Sequence, residues 1–232
     1  MVTSGTHTFN LDSAQIIEEA FERIGQQAKT GNDLRTARRS LNLILTKWVN
    51  DGVNLFTLDL ETINMTKNQD HITLSASSRL DILDATIRNN SDTDNPQDVS
   101  MERISLSDYL QIPTKKDTGK PVQFAVERNA QFTSSGAANH KIYLWPVPDQ
   151  TYYQMLAWSI KYPQDVSATY TQNPEIPRRY LPALISALAV ELAIKFAPDR
   201  LNVLKPLYDE EWMKAKEEDR ERVSFTVQPQ VY

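Results

Sequence analysis

Apolar residues recur at helical spacing twice near the start of the chain. Ile16, Ile17, Ala20, Phe21 and Ile24 make one stripe, the spacing of a helix with one buried face. Asp12 stands just ahead of it with Gln15 three residues on, the reciprocal arrangement of a capping box, and Gly25 offers a natural stop. A longer stripe follows in Leu34, Ala37, Leu41, Ile44, Leu45, Trp48 and Val49. It predicts a second helix that starts near Asn32 or Asp33 and ends at Asp51-Gly52. The short "QQAKTG" between them predicts that the two helices fold back on each other as an antiparallel αα-hairpin.

From Leu55 to about Tyr170 the period changes. "TLDLETINMT" alternates in part, "HITLS" and "VQFAVE" are short β-branched runs, and "LDILDATIR" reads as extended chain. "SLSDYLQIP" predicts one or two helical turns, capped by Ser105 or Ser107 and stopped by Pro113. "KKDTGKP" is a turn, "NAQFTSSGAANHK" a polar loop between two strands, and "YYQMLAWSIKYP" a further strand. Within this region "KIYLWPVPD" opens as a strand and then meets Pro146 and Pro148, which lack a backbone donor and fix φ. With Trp145 they predict a stiff structural corner, because the residue before each proline is restricted too.

Helix returns after "NPEIP". Pro177 suits the first turn of a helix, and "RRYLPALISALAVELAIKFA" is apolar on nearly every side, which predicts burial all round. After Pro198 a last helix, reaching about Arg222, carries Leu201, Leu204, Tyr208, Trp212 and Ala215 on one stripe, with Pro206 as a candidate kink. Its charged end, "DEEWMKAKEEDRER", gives way to "VSFTVQPQVY", which has no charged side chain. Val223, Phe225 and Val227 there are spaced by two, the pattern of a segment that adds as a strand to a partner. Together the elements predict an α+β protein. A helical bundle, built from the N-terminal αα-hairpin and two C-terminal helices, carries a central antiparallel β-rich insertion and an extended C-terminal tail. In residue terms, 1–54 and 174–222 form the helical domain, 55–173 the β-rich domain and 223–232 the tail.

Composition narrows the chemistry. The 232 residues are 40% hydrophobic and 24% charged, ordinary for a globular chain long enough to bury a core. A formal net charge of −5 argues against a nucleic-acid coat, which would carry a basic stripe. Cysteine is absent, which excludes disulfides, thiolate metal sites and a cysteine nucleophile. "MVTSGTHTFNLDS" lacks the basic and apolar regions of a signal peptide. The most apolar run, Leu181 to Phe196, is 16 residues long, short of the ~20 a membrane helix needs. A soluble protein made inside the cell, with no membrane contact, is expected.

No catalytic constellation emerges. His7, His71 and His140 share no metal-ligand spacing, and each sits in a stretch that reads as an exposed loop or strand edge. "SDTDNPQDVSMER" begins like a calcium loop at Asp92 and Asp94, but Pro96, Gln97 and Arg103 break the pattern. The six glycines never cluster, so there is no phosphate-cradling loop and no GxSxG elbow. The expectation is a protein that is not an enzyme, with no cofactor and no metal. Arg35, Arg38 and Arg39, with Lys47 further on, gather on the polar side of the second helix as a candidate contact for an acidic partner.

The order of parts adds a resemblance. "GTHTFNLDSAQIIEEAFERIG", a helix ending at Trp48, "ISLSDYLQIPTKKDTGKPVQFAVER", "KIYLWPVPD", "IPRRYLPALISALAVELAIKFAPDR" and "RERVSFTVQPQ" follow one another from about Gly5 to Gln230. This succession resembles the head-to-tail adaptor (connector) proteins of short-tailed, podovirus-type bacteriophages. The resemblance implies a virion structural protein, a dodecameric homo-oligomer ringed beneath the portal, which extends the DNA channel and offers a platform to the tail nozzle and tail fibres. Genomic DNA would pass through the lumen without sequence-specific binding. The helical part is expected to build the ring and meet the portal, the β part to face the tail, and the C-terminal segment to reach along the portal. On this basis Arg35, Arg38, Arg39, Ser224, Phe225, Val227 and Tyr232 are the candidate subunit or portal contacts, with Trp145, Pro146 and Pro148 as a corner fixing how the β region leaves the helical body. The expected location is the head–tail interface of the virion, after synthesis in the host cytoplasm. An alternative from a different class is a packaging-associated DNA-binding or regulatory protein that uses the Arg35 helix.

Overall fold

The computed structural model describes residues 5–28, 30–52, 57–76, 78–129, 132–133, 136–137 and 139–217. The chain divides into two compact units, Met1–Phe56 with Pro163–Tyr232, and Thr57–Tyr162.

In the first unit α1 (Ser13–Arg23) begins at the capping box that Asp12 and Gln15 form, as the sequence predicts. Gly25 follows its end with φ +74°, a left-handed conformation that costs glycine nothing. The second helix, α2 (Gly31–Asn50), starts slightly earlier than expected. Thr30 is its N-cap and Asp33 the third residue that bonds back, so the aspartate read as a cap completes a capping box instead. The helix α4 (Leu181–Phe196) follows a 3-10 turn at Arg178–Tyr180. A second 3-10 turn at Pro198–Arg200 leads into α5 (Leu201–Glu217), which contains Pro206.

Leu184, Leu188, Ala189, Leu192 and Ala193 of α4 are fully buried, and α1, α2 and α5 all pack against that helix. The predicted αα-hairpin is therefore corrected. α1 and α2 touch each other little and each turns its stripe to α4, because α4 offers apolar surface on every side. Polar side chains pin this arrangement. Arg23 of α1 bonds Ser186 of α4, which bonds Glu211 of α5, while Lys195 of α4 donates to the buried Ser40 of α2 at 2.5 Å. Trp48 stacks on Trp212 at 4.7 Å between ring centroids and lies 5.8 Å from Tyr180.

The second unit holds the larger departure. It is a curled seven-stranded sheet rather than an insertion on a helical bundle, so the predicted bundle architecture is replaced by a mixed α+β fold. Its strands are β1 (Leu58–Asn64), β2 (His71–Ser75), β3 (Arg79–Asn89), β4 (Gln97–Arg103), β6 (Gln123–Glu127), β9 (Asn139–Trp145) and β11 (Tyr153–Lys161). They lie in the order β1-β11-β3-β4-β6-β9-β2. The sheet is also not purely antiparallel, since β4 and β6 pair in parallel. A parallel pair needs a crossover connection, and the short helix α3 (Leu106–Gln111), capped by Ser105, lies within it. The small strand β5 (Thr118–Gly119) follows, and the "polar loop" contains the pair β7 (Phe132–Thr133) and β8 (Gly136–Ala137). Ile82, Ile87, Phe124, Ile142, Leu144 and Met155 fill the core of this unit.

Candidate interaction surfaces

The prolines of the corner obey the period of a strand. After β9 ends at Trp145 the chain enters β10 (Val147–Pro148), which pairs in parallel with β5. Val147 N–H donates to Asp117 at 2.8 Å and Asp149 N–H to Gly119 at 3.2 Å. Alternate residues of a strand face opposite edges, so Pro146 and Pro148, spaced by two, sit where β5 needs no donor. Pro148 still accepts from Asn68 N–H at 2.8 Å, and Trp145 Nε1 donates to Thr114 at 3.2 Å. The corner thus lies inside the sheet unit, joining its main sheet to the β5/β10 pair. The chain passes between units elsewhere, at 56–57 and 162–163, which corrects the expectation that Trp145, Pro146 and Pro148 govern that passage.

At one margin of the sheet, β1 is an edge strand. Lys161 N–H donates to Thr57 and Met65 N–H to Tyr153, which fixes the odd-numbered β1 residues as those bonded to β11. The backbone groups of Leu60 and Thr62 therefore point to the free edge. Leu60 and Trp158 face each other across the two strands and are 49% and 46% exposed. Such an edge with an uncovered apolar pair is a template for another chain. The charged residues Asp59 and Glu61 are tied to Lys161 and Arg79.

Over β9, α3 lays Tyr109 on Tyr143, stacked at 4.9 Å. Tyr143 Oη donates to Glu127 at 2.6 Å. That bond first, then burial, pushes the Tyr143 phenol up to about 12. Burial, with help from Tyr152, pushes Tyr153 to about 12 as well.

Of the histidines, His7 is exposed and His71 lies on the other edge strand, β2. His140 corrects the expectation of exposure. It is 6% exposed in β9, with Nδ1 accepting Asn129 N–H at 3.1 Å and Nε2 2.9 Å from the Arg79 carbonyl. Among the described residues no group of three or more metal-binding side chains converges, and no helix is long and apolar enough to cross a membrane. The stretch read as a broken calcium loop supplies strand β4.

On the helical unit, Arg35, Arg38 and Arg39 line a shallow concavity of about 460 Å³ together with Leu43 and Asp165. Leu43 is 63% exposed. Arg35 donates to the Gly31 carbonyl at 3.3 Å, whereas Arg38 and Arg39 have no ion-pair or hydrogen-bond partner among the described residues. A different hollow, about 770 Å³, opens by the α1–α2 connection, where Phe21, Glu22, Gly25, Asp33 and Phe196 line it. It shares Phe21, Glu22, Gln26 and Gln27 with a recess of about 410 Å³ over Ile17, Glu18 and Leu34. The predicted tail contacts Ser224, Phe225, Val227 and Tyr232 lie outside the described residues. The exposed Leu60–Trp158 pair was missed in the sequence because "LDLE" and "LAWS" read as ordinary alternating strands.

A family model described as SU10 adaptor protein matches residues 12–229. No curated protein matches the chain.

Proposed function

The chain belongs to the SU10 adaptor protein family and is thereby a phage adaptor protein, and from that premise we propose that it joins head to tail in a short-tailed phage. In this reading it forms a dodecameric ring beneath the portal, extends the DNA channel, and presents its sheet unit to the tail nozzle or fibres. The family match over nearly the whole chain carries the reading. The two units support it, because each has its own core and its own uncovered surface, the arginine face of α2 on one and the β1 edge with Leu60 and Trp158 on the other. A protein that bridges two partners needs two such surfaces. The tail from Val223 to Tyr232 would add to the portal as an extended strand.

The test is negative-stain imaging of the protein mixed with its cognate portal. The expected result is a second ring of matching symmetry stacked on the portal. Failure of the two to associate at any ionic strength would refute it. The unpaired Arg38 and Arg39 favour one other reading, a packaging-associated DNA-binding protein. In that case duplex DNA would bind the isolated protein with an affinity falling steeply in salt.

A further inference from the structure

Natural sheets protect an open edge with proline, lysine, a bulge or a very short strand, and β1 uses none of these. Its sequence, LDLETIN, pairs with β11 without a break over all seven residues. Among the described residues nothing bonds the outward backbone groups of Leu60 and Thr62. The other edge strand, β2, is five residues long and shows no exposed large apolar side chain. Beyond the Leu60–Trp158 pair, Leu83 is 47% exposed at the bulge where β3 meets β11. Three neighbouring strands thus each hold an exposed apolar side chain beside this edge. The opposite face of β1 carries Asp59 and Glu61, with the Asp59 side chain 46% exposed.

We infer that β1 takes an extended strand from a different protein, one that alternates apolar residues with lysine or arginine. The backbone of that strand completes the ladder at Leu60 and Thr62. Its apolar side chains lengthen the Leu60–Trp158 row, and its basic side chains lie beside Asp59 and Glu61, the pairing that opposite charges favour across strands. The same two carboxylates select against a second copy of β1. Two such strands, paired antiparallel over their full length, set Glu61 against Glu61, and a neighbouring register sets it against Asp59. Like charges directly opposite are destabilising, which disfavours an acidic strand as well. The inference goes beyond the adaptor reading, which leaves open how the sheet unit grips a partner, and it stands without the portal or the ring.

The probe is a seven-residue peptide alternating valine and lysine, matched to the length of β1, offered to the full chain and followed by NMR. At saturation the amides of Leu60 and Thr62 should become protected from exchange, while those of Asp59, Glu61 and Ile63, already bonded to β11, change little. Replacing the lysines with glutamate is expected to weaken binding on the order of tenfold, since like charges then meet. Thr62→Pro should abolish binding, because it removes a donor on the open edge and leaves the bonds to β11 in place. Two methylated peptides test the same point with the protein unaltered. Methylating the valine nitrogens blocks an antiparallel strand and methylating the lysine nitrogens a parallel one, so one of the two should bind and the other fail. Any other result with that pair overturns the inference. So does no binding of the lysine peptide, equal binding of the glutamate peptide, or unchanged exchange at Leu60 and Thr62. Self-association of the parent that Thr62→Pro abolishes would make the occupant a second copy and overturn it too. Portal imaging is scored separately and decides the adaptor reading alone.

Discussion

Replacing Leu188 with alanine probes the packing on which the helical unit depends. Leu188 is completely buried in α4, and α1, α2 and α5 all press on that helix. A buried Leu→Ala change removes transfer free energy and leaves a cavity, at ~2–5 kcal/mol. Neighbours on three sides, pinned by the Arg23–Ser186–Glu211 chain, resist collapse into the gap, so the upper part of that range, ~3–5 kcal/mol, is expected. Against a total stability of ~5–15 kcal/mol for a domain, this is a large fraction. It corresponds to roughly two to three and a half powers of ten in the population of open states, at ~1.4 kcal/mol for each tenfold. Hydrogen exchange of the full chain by mass spectrometry measures it directly. Peptides from α1, α4 and α5 should exchange faster by that factor, with β3 and β11 peptides as the reference. Leu188→Met, which conserves volume, should cost less than ~1.5 kcal/mol. Exchange within twofold of the parent in Leu188→Ala would refute the placement of α4 at the centre.

Two glycines should respond in opposite ways. Gly25→Ala meets both φ +74° and Arg200 Nη2 at 3.2 Å and is expected to cost ~1–2 kcal/mol. Gly119→Ala meets only ordinary contact with Pro146 at 3.6 Å and should leave the melting temperature unchanged; the reverse order would contradict the backbone described. Tyr143 and Tyr153 ionise at about 12 in the folded protein but at ~10 when unfolded. The unfolded chain therefore releases these protons first, so their stabilising contribution is complete below about pH 10 and is lost as pH rises through about 12. Glu127→Gln should lower the Tyr143 midpoint in an NMR titration of labelled tyrosine, and an unmoved midpoint would show that Glu127 is not its cause. Deleting Ser224 to Tyr232 should leave the melting temperature unchanged and weaken portal attachment; parental affinity would remove the tail from the interface.

Local structure was legible where the signal is local. The Asp12/Gln15 capping box, the α2 stripe and the all-round apolar α4 follow from residues within a few positions of one another. What escaped depends on residues far apart in sequence. Strand β4 buries only Met101, so "QDVSMER" shows no alternation, and its place was taken for a failed metal loop. The parallel β4–β6 pairing, and that of β5 with β10, are decided by which edges remain free after β3 and β9 have paired, which no period records. His140 followed a polar stretch, and its burial rests on Asn129 and Arg79, the second of them distant in the chain. For the interaction surfaces, the sequence shows that the arginines cluster. It does not show that Arg38 and Arg39 go unpaired, because that depends on where every carboxylate of the fold ends up.

The most direct measurement is quantitative mass spectrometry of purified virions, combined with antibody labelling of the particles under the electron microscope. The account predicts one copy of this chain for each portal subunit and label confined to the vertex where head meets tail. A chain missing from mature particles, or one spread over the capsid surface, would contradict it.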